Sequence, residues 1–364
     1  MDKSSLENLV NDINTEEMLK EKLFYTKKHA AEILTQDEID AAFDFCKGYR
    51  EFLDYAKTER RAVAFAENLA KQNGFVEFEA GVKYNKGDKV YLNNRGKAII
   101  LAVIGEKSLY EGVKISAAHI DSPRLDLKPN PLYEDTELAL FKTHYYGGIR
   151  KYQWTAIPLS LHGVFAKKDG SVIEVNIGED ENDPVFIVND LLPHLAGEQS
   201  KRTLSQGIKG EELNILIGSK PFKDDSESEL VKLSILNILY DKYGITEDDF
   251  LSAELEAVPA FKAKDVGFDR SMIGAYGHDD RVCAYPALTA ILDIENPQKT
   301  AVVVLADKEE IGSQGNTGLE SDFLRFFIRD LAIMQGGDGT VALRNSRCLS
   351  ADVNAGMDPT FQDV

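Results

Sequence analysis

Apolar residues recur at three- and four-residue steps from Glu16 to Leu34 and again from Asp37 to Ala56, the period of helices with one buried face. A third helix is predicted from Glu59 in TERRAVAFAENLAKQNG, with Thr58 placed to cap its first turn and Gly74 to end its last. The period then changes. KVYLNN and KAIILAVIG read as a hairpin around Arg95-Gly96, and VKISAAHIDS as a third strand that runs out into polar residues. Between about Asn130 and Glu256, short β-like runs (IPLSLHGVFA, SVIEVNIG, PVFIV, LNILIG) alternate with the turn clusters KKDG and GEDENDP, and one helix is predicted from Glu227 to Tyr243. Signals of a parallel sheet follow: a helix over Arg281 to Leu292, a buried strand over Thr300 to Ala306, a helix around Ser321 to Met334, and a strand end at LSADV. The fold class is α/β, with residues 1–129 and 257–364 forming one discontinuous domain and residues 130–256 a β-rich insert.

Composition narrows the function. A chain of 364 residues has room for two domains at roughly 150 residues each. The formal net charge of -19 is spread along the chain, which argues against nucleic acid as a partner, because such binding neutralises phosphates with a basic face. The same field repels acidic substrates unless a local Lys or Arg intervenes. The start, MDKSSLENLVNDINTEEMLK, lacks the basic-then-apolar order of a signal peptide, and no apolar run approaches the ~18 residues of a membrane span. Cys46, Cys283 and Cys348 are too few and too scattered for a disulfide frame, so a reducing, cytoplasmic setting is expected.

The chemistry sits where the strands end. VVVLADKEEIGSQGNTG finishes an apolar strand on Asp307, Lys308, Glu309 and Glu310, and neighbouring carboxylates are costly unless a cation or a shared proton compensates them. Open α/β sheets keep their ligands at such strand ends. His119 and Asp121 in HID offer an imidazole and a carboxylate that can fix its tautomer. Asp279 and Asp280 in HDDR precede a helix, and Asp352 closes LSAD. Alone, each has a plain reading: a chance His-X-Asp, a helix cap, a solvated turn, a turn acid. His162, His194 and His278 read as structural histidines, His29 and His144 as surface ones. Together, acids following apolar strands in four segments suggest one rim, and a dinuclear zinc site accounts for that density of negative charge.

AAHIDSPRLDLKPNP, YGHDDRVCAYPAL, DKEEIGSQGNTG and SADVNAGMDPTF resemble the successive metal-site motifs of the aspartyl aminopeptidase family, dinuclear zinc exopeptidases that include vacuolar aminopeptidase I. The likeness runs from near residue 20 to the end. It implies a mixed-sheet α/β/α zinc exopeptidase domain with an inserted β-rich dimerisation domain, assembling through dimers into a hollow dodecamer. It also implies that His119 binds one zinc, Asp279 bridges two, Glu310 binds the second and Asp352 completes the first, with Asp121 orienting His119 and Glu309 as general base. A water between the two zinc ions would then be activated by Glu309, attack the peptide carbonyl, and pass its proton to the leaving amine, removing N-terminal residues from peptides. Cobalt or manganese would also fit such donors.

This sequence departs from the family pattern in two places. The family supplies a further zinc-binding histidine near its carboxyl terminus, whereas the last histidine here is His278. The chain reads as C-terminally truncated, or else as holding one weak, ligand-poor site, with activity in question; a fragment is favoured because the chain stops just after a strand end. SADVNAGMDPTF also lacks the histidines many members carry after SAD, which leaves the preferred N-terminal residue open. The resemblance also places His194, in PHLA, within the insert, and implies it as a candidate for contact with the active site across a subunit boundary. The competing readings are a related zinc carboxypeptidase or deacetylase, and a catalytically silent assembly module.

Overall fold

The computed structural model describes residues 18–223 and 228–362. The chain divides into two compact units, 1–48 and 49–364. In the first, the helix expected from Glu16 to Leu34 is not continuous: helical turns cover 18–23 and Ala30–Ile33, and residues 24–29 are not helical. Glu16 itself lies outside the described residues. No residue of Ala30–Ile33 is buried, and a short amphipathic helix without a packed face gains little to offset nucleation. The side chain of His29 caps that turn, its Nδ1 accepting the Ala31 N–H at 3.2 Å. Helix α1 (Gln36–Tyr55) follows, close to the predicted span.

In the second unit, α2 (Glu59–Gln72) starts as expected, with the Thr58 hydroxyl accepting the Arg61 N–H. Strands β1 (Val76–Glu77), β2 (Lys89–Asn94), β3 (Ala98–Val103) and β4 (Lys114–His119) open the first sheet. The chain then builds β5 (Arg124–Asp135), β6 (Leu138–Tyr146), β7 (Leu159–Ala166), β8 (Val172–Ile177), β9 (Ile187–Val188), β10 (Ile215–Gly218), α3 (Leu230–Tyr243) and β11 (Ala253–Pro259). A small pair, β12 (Lys264–Val266) and β13 (Met272–Gly274), leads to α4 (His278–Leu292), β14 (Ala301–Ala306), α5 (Phe323–Met334), α6 (Gly339–Arg344) and β15 (Arg347–Ser350).

The six-stranded sheet has the order β1-β2-β3-β14-β4-β15. Every residue of β3 and β14 is buried, because the two faces of the sheet are covered by different helices. Ile99, Leu101 and Val303 pack with Ala62, Ala66 and Leu288 from α2 and α4, whereas Ile100, Val302 and Val304 pack with Phe327, Ile328 and Leu331 from α5. Side-chain alternation thus turns a continuous apolar run into the middle layer of an α/β/α stack. The sheet is mixed: β14 runs antiparallel to β3 but parallel to β4, and β15 also runs parallel to β4. The carboxyl ends of β4, β14 and β15 therefore share one edge, with Ala306 opposite His119.

The seven-stranded sheet, β8-β7-β11-β5-β6-β10-β9, is antiparallel throughout. Its long β5–β6 hairpin escapes the sequence pattern because Pro129 and Pro131 interrupt β5, and the register breaks between Leu127 and Leu132. The helix expected from Glu227 to Tyr243 runs from Leu230 to Tyr243 and is capped by Gly244, whose φ of +65° suits glycine; position 227 lies outside the described residues.

A buried ion network joins α2 to both sheets. The fully buried Glu59 carboxylate meets Lys97 Nζ at 3.0 Å and Arg124 Nη1 at 3.1 Å, and Arg124 also reaches Glu256 at 3.2 Å and Asp126 at 2.8 Å. Burial opposes the charge on Glu59, but Arg124 and Lys97 hold its carboxyl well below the usual range, while burial drives that of Glu256 well above it. Removing Glu59 leaves two buried cations short of a partner. Glu59→Ala is therefore expected to lower unfolding free energy by about 3–5 kcal/mol in a denaturant titration; a loss below about 1 kcal/mol, the scale of a surface pair, would show that the network does not hold the sheets.

Candidate metal centre

His119 ends β4, and its imidazole is 2% exposed. Its Nε2 faces Asp279 Oδ1 at 3.0 Å, Glu309 Oε2 at 3.7 Å and Asp352 Oδ1 at 3.8 Å. The ligand atoms of His119, Asp279 and Asp352 lie within 4.8 Å of one another, as do those of His119, Glu309 and Glu310. Four segments converge: His119 comes from β4, Asp279 from the non-helical lead-in to α4, Glu309 and Glu310 from the 3-10 turn Glu309–Ile311 that follows β14, and Asp352 from just past β15.

The other face of the His119 ring is fixed. Nδ1 lies 3.0 Å from the Asp121 carbonyl oxygen and 3.2 Å from Asp121 Oδ1. Asp121 is fully buried, and its Oδ1 also accepts the Glu309 N–H at 3.1 Å, while Oδ2 accepts the Glu310 N–H at 3.2 Å and the Tyr146 hydroxyl at 2.7 Å. With Nδ1 donating to Asp121, Nε2 is the ring nitrogen that can give up its proton and turn a lone pair to a cation.

Asp279 does not act as the helix cap that its position suggests. Gly277 takes that place, Asp279 and Asp280 have non-helical φ/ψ, and the peptide between them is cis. The Ser122 hydroxyl donates to the Asp279 carbonyl at 2.6 Å, and Arg281, itself fully buried, donates to Ser122 Oγ at 2.8 Å and to the Ile120 carbonyl at 3.0 Å. Arg281 thus clamps the segment after β4 against the start of α4. Sequence reasoning quoted Arg281 only as a helix start and missed Ser122, Tyr146 and Gly147. Gly147 has φ +71°, and a Cβ there would lie 3.2 Å from Glu310 Oε2.

Among the described residues no Lys or Arg pairs with Asp279, Glu309, Glu310 or Asp352. Burial, and next the charge of Asp279, pushes the Glu310 carboxyl up to about 7. Burial alone would lower the His119 pKa, but the Asp121 carboxylate carries it up to about 9. Asp280 is fully buried, and burial raises its carboxyl to about 6. These are the signs of a negative pocket whose compensating charge is a cation, and one imidazole with several carboxylates is a donor set suited to zinc.

Residues 52–364 match the aminopeptidase I zinc metalloprotease family, M18. The chain belongs to that family. It is 49% identical over 345 residues to a probable M18 family aminopeptidase 1 of Clostridium acetobutylicum, covering 93% of this chain and 74% of the relative. It superposes on the crystal structure of an M18 aminopeptidase from Thermotoga maritima with a TM-score of 0.88 at 46% identity, covering 94% of this chain and 75% of that one. The structure of a Saccharomyces cerevisiae mApe1 dodecamer, 21% identical with a TM-score of 0.70, covering 88% of this chain and 74% of that one, shares the fold. The M18 chain is accordingly a zinc metallo-aminopeptidase, a hydrolase.

The structure brings His119, Asp121, Asp279, Glu309, Glu310 and Asp352 of this M18 chain together; His194 is exposed and outside the cluster. His278 is satisfied by the Tyr49 hydroxyl at 2.8 Å and the Ile273 carbonyl at 3.0 Å, whereas buried His162 meets Glu179 at 3.1 Å through Nε2 and leaves its Nδ1 without a hydrogen bond. His29 and His144 are exposed.

Proposed function

We propose that His119, Asp279 and Asp352 hold one zinc ion of this aminopeptidase, that Asp279 and Glu310 hold a second, and that Glu309 carries the proton. The observation that bears this reading is the His119 ring, tied to Asp121 through Nδ1 and aimed through Nε2 at carboxylates from three other segments. Bound zinc supplies a Lewis acid for the scissile carbonyl and acidifies a water.

The protein's own groups divide the remaining work. The Glu309 side chain is 43% exposed while its backbone N–H is held by Asp121, so a fixed stem carries a carboxylate that can take a proton from water and deliver it to the departing amine. Glu310, next in sequence, has its side chain against Gly147 and its backbone N–H on Asp121, which suits it to holding charge in place. The adjacent carboxylates thus have separate tasks, one moving protons and one binding metal.

The reading extends to the rest of the chain. Residues 1–129 and 257–364 are proposed as the catalytic domain and 130–256 as an inserted domain through which copies associate, toward a dodecamer like that of the yeast relative. The seven-stranded sheet, with strands from Arg124 to Pro259, supports the insert, and His194 is exposed on it for contact with a second subunit. A cytoplasmic location is proposed with the free cysteines Cys46, Cys283 and Cys348 in support; no helix among the described residues is long and apolar enough to cross a membrane.

Three outcomes check the site. Glu309→Gln should lower kcat on aminoacyl-anilides by about 100-fold or more with zinc content unchanged, and near-normal hydrolysis would remove Glu309 from the proton path. Asp279→Ala should lose zinc as well as turnover, read as bound metal per chain after gel filtration. Zinc affinity should also climb with pH. Glu310 and His119 must give up protons to bind, and in the metal-free chain they do so near 7 and 9, so affinity measured by chelator competition should rise from pH 6 to pH 9 with proton release on binding. A flat profile would mean that neither residue is a ligand.

A further inference from the structure

Tyr146 is the last residue of β6, on the seven-stranded sheet, and is 7% exposed. Its hydroxyl donates to Asp121 Oδ2 at 2.7 Å, the shortest of the hydrogen bonds to that carboxylate. The other donors come from His119 and from the backbone of Glu309 and Glu310, all at strand ends of the six-stranded sheet. The ring of Tyr146 lies 3.9 Å from the guanidinium of Arg124, its partner across the β5–β6 ladder and a member of the buried ion network. The next residue, Gly147, brings its backbone against the Glu310 side chain.

We propose that Tyr146 is a positioning residue for hydrolysis: its hydroxyl fixes the rotation of the Asp121 carboxylate, and through it the His119 ring and the Glu309–Glu310 backbone. The proposal rests on the reading of this rim as the metal site. Without the hydroxyl, Oδ2 keeps only the 3.2 Å bond from Glu310, and the carboxylate can turn away from Nδ1, which then relies on the Asp121 carbonyl. Packing of the second sheet is in this way transmitted to the metal ligands of the first.

Tyr146→Phe tests this, because it deletes one oxygen and leaves the ring on Arg124. Removing a hydrogen-bond partner that orients a metal-binding histidine costs about 10–100-fold in metal affinity or activity. The variant should bind zinc about 10-fold more weakly in chelator competition and lose kcat by about 10-fold or more at saturating zinc, with KM within about twofold and a modest fall in the metal-free Tm, because Asp121 loses one of its donors. Wild-type zinc affinity and kcat would overturn the proposal, as would a lowered metal-free Tm with zinc affinity intact, which would make the hydroxyl a folding contact only. His119→Ala measured alongside separates the two readings. If that variant binds zinc like wild type, the metal-site reading itself fails; if it loses zinc while Tyr146→Phe does not, only the role of the tyrosine fails.

Discussion

One fully buried carboxylate organises this site. Taking a charged carboxylate out of water costs several kcal/mol unless donors replace the lost hydration. Asp121 recovers that cost with the His119 ring, the Glu309 and Glu310 N–H groups and the Tyr146 hydroxyl. Burial opposes the charge, yet these partners hold its carboxyl below the usual range. The groups that stabilise Asp121 are the groups, or the backbone of the groups, that face the candidate metal. Burying the carboxylate and shaping the rim are one physical event.

The topology makes this possible. Parallel β4 and β14 deliver His119 and the Asp307–Glu310 segment to the same sheet edge, and β15 adds Asp352 beside them. Arg281 and Ser122 then lock the chain after β4 to the start of α4, which brings Asp279 to the His119 ring. Behind the rim, Lys97 and Arg124 balance Glu59, Asp126 and Glu256, with Lys97 reaching within 3.9 Å of Asp307. Among the described residues, Lys and Arg thus pair with the acids of the buried layer and not with those of the open rim, which suits the rim to a divalent ion.

Much of this was legible in the sequence, for local reasons. The apolar run Thr300 to Ala306 reads as a two-face-buried strand because it is one, and Thr58 and Gly74 punctuate α2 through caps that depend on adjacent residues. Metal-type residues at strand ends carry a recognisable order, which is why the sequence pointed to His119, Asp121, Asp279, Glu309, Glu310 and Asp352, the residues that the structure brings together. Groups acting across the fold were missed. Tyr146 looks like an ordinary β-strand aromatic until β6 is set against the end of β4, and Arg281 looks like a helix-surface charge until it is seen buried. The β5–β6 hairpin was lost because its prolines contradict a local rule, and the helix from Glu16 to Leu34 was overcalled because periodicity does not reveal whether a face has anything to pack on.

The most direct test of the account is the anomalous scattering of the protein crystallised with zinc. An ion is expected about 2.0–2.1 Å from His119 Nε2, with carboxylate oxygens of Asp279 and Asp352 completing its shell at about 2.0–2.2 Å. Zinc peaks confined to other parts of the surface, with His119 Nε2 still hydrogen-bonded to Asp279, would contradict it.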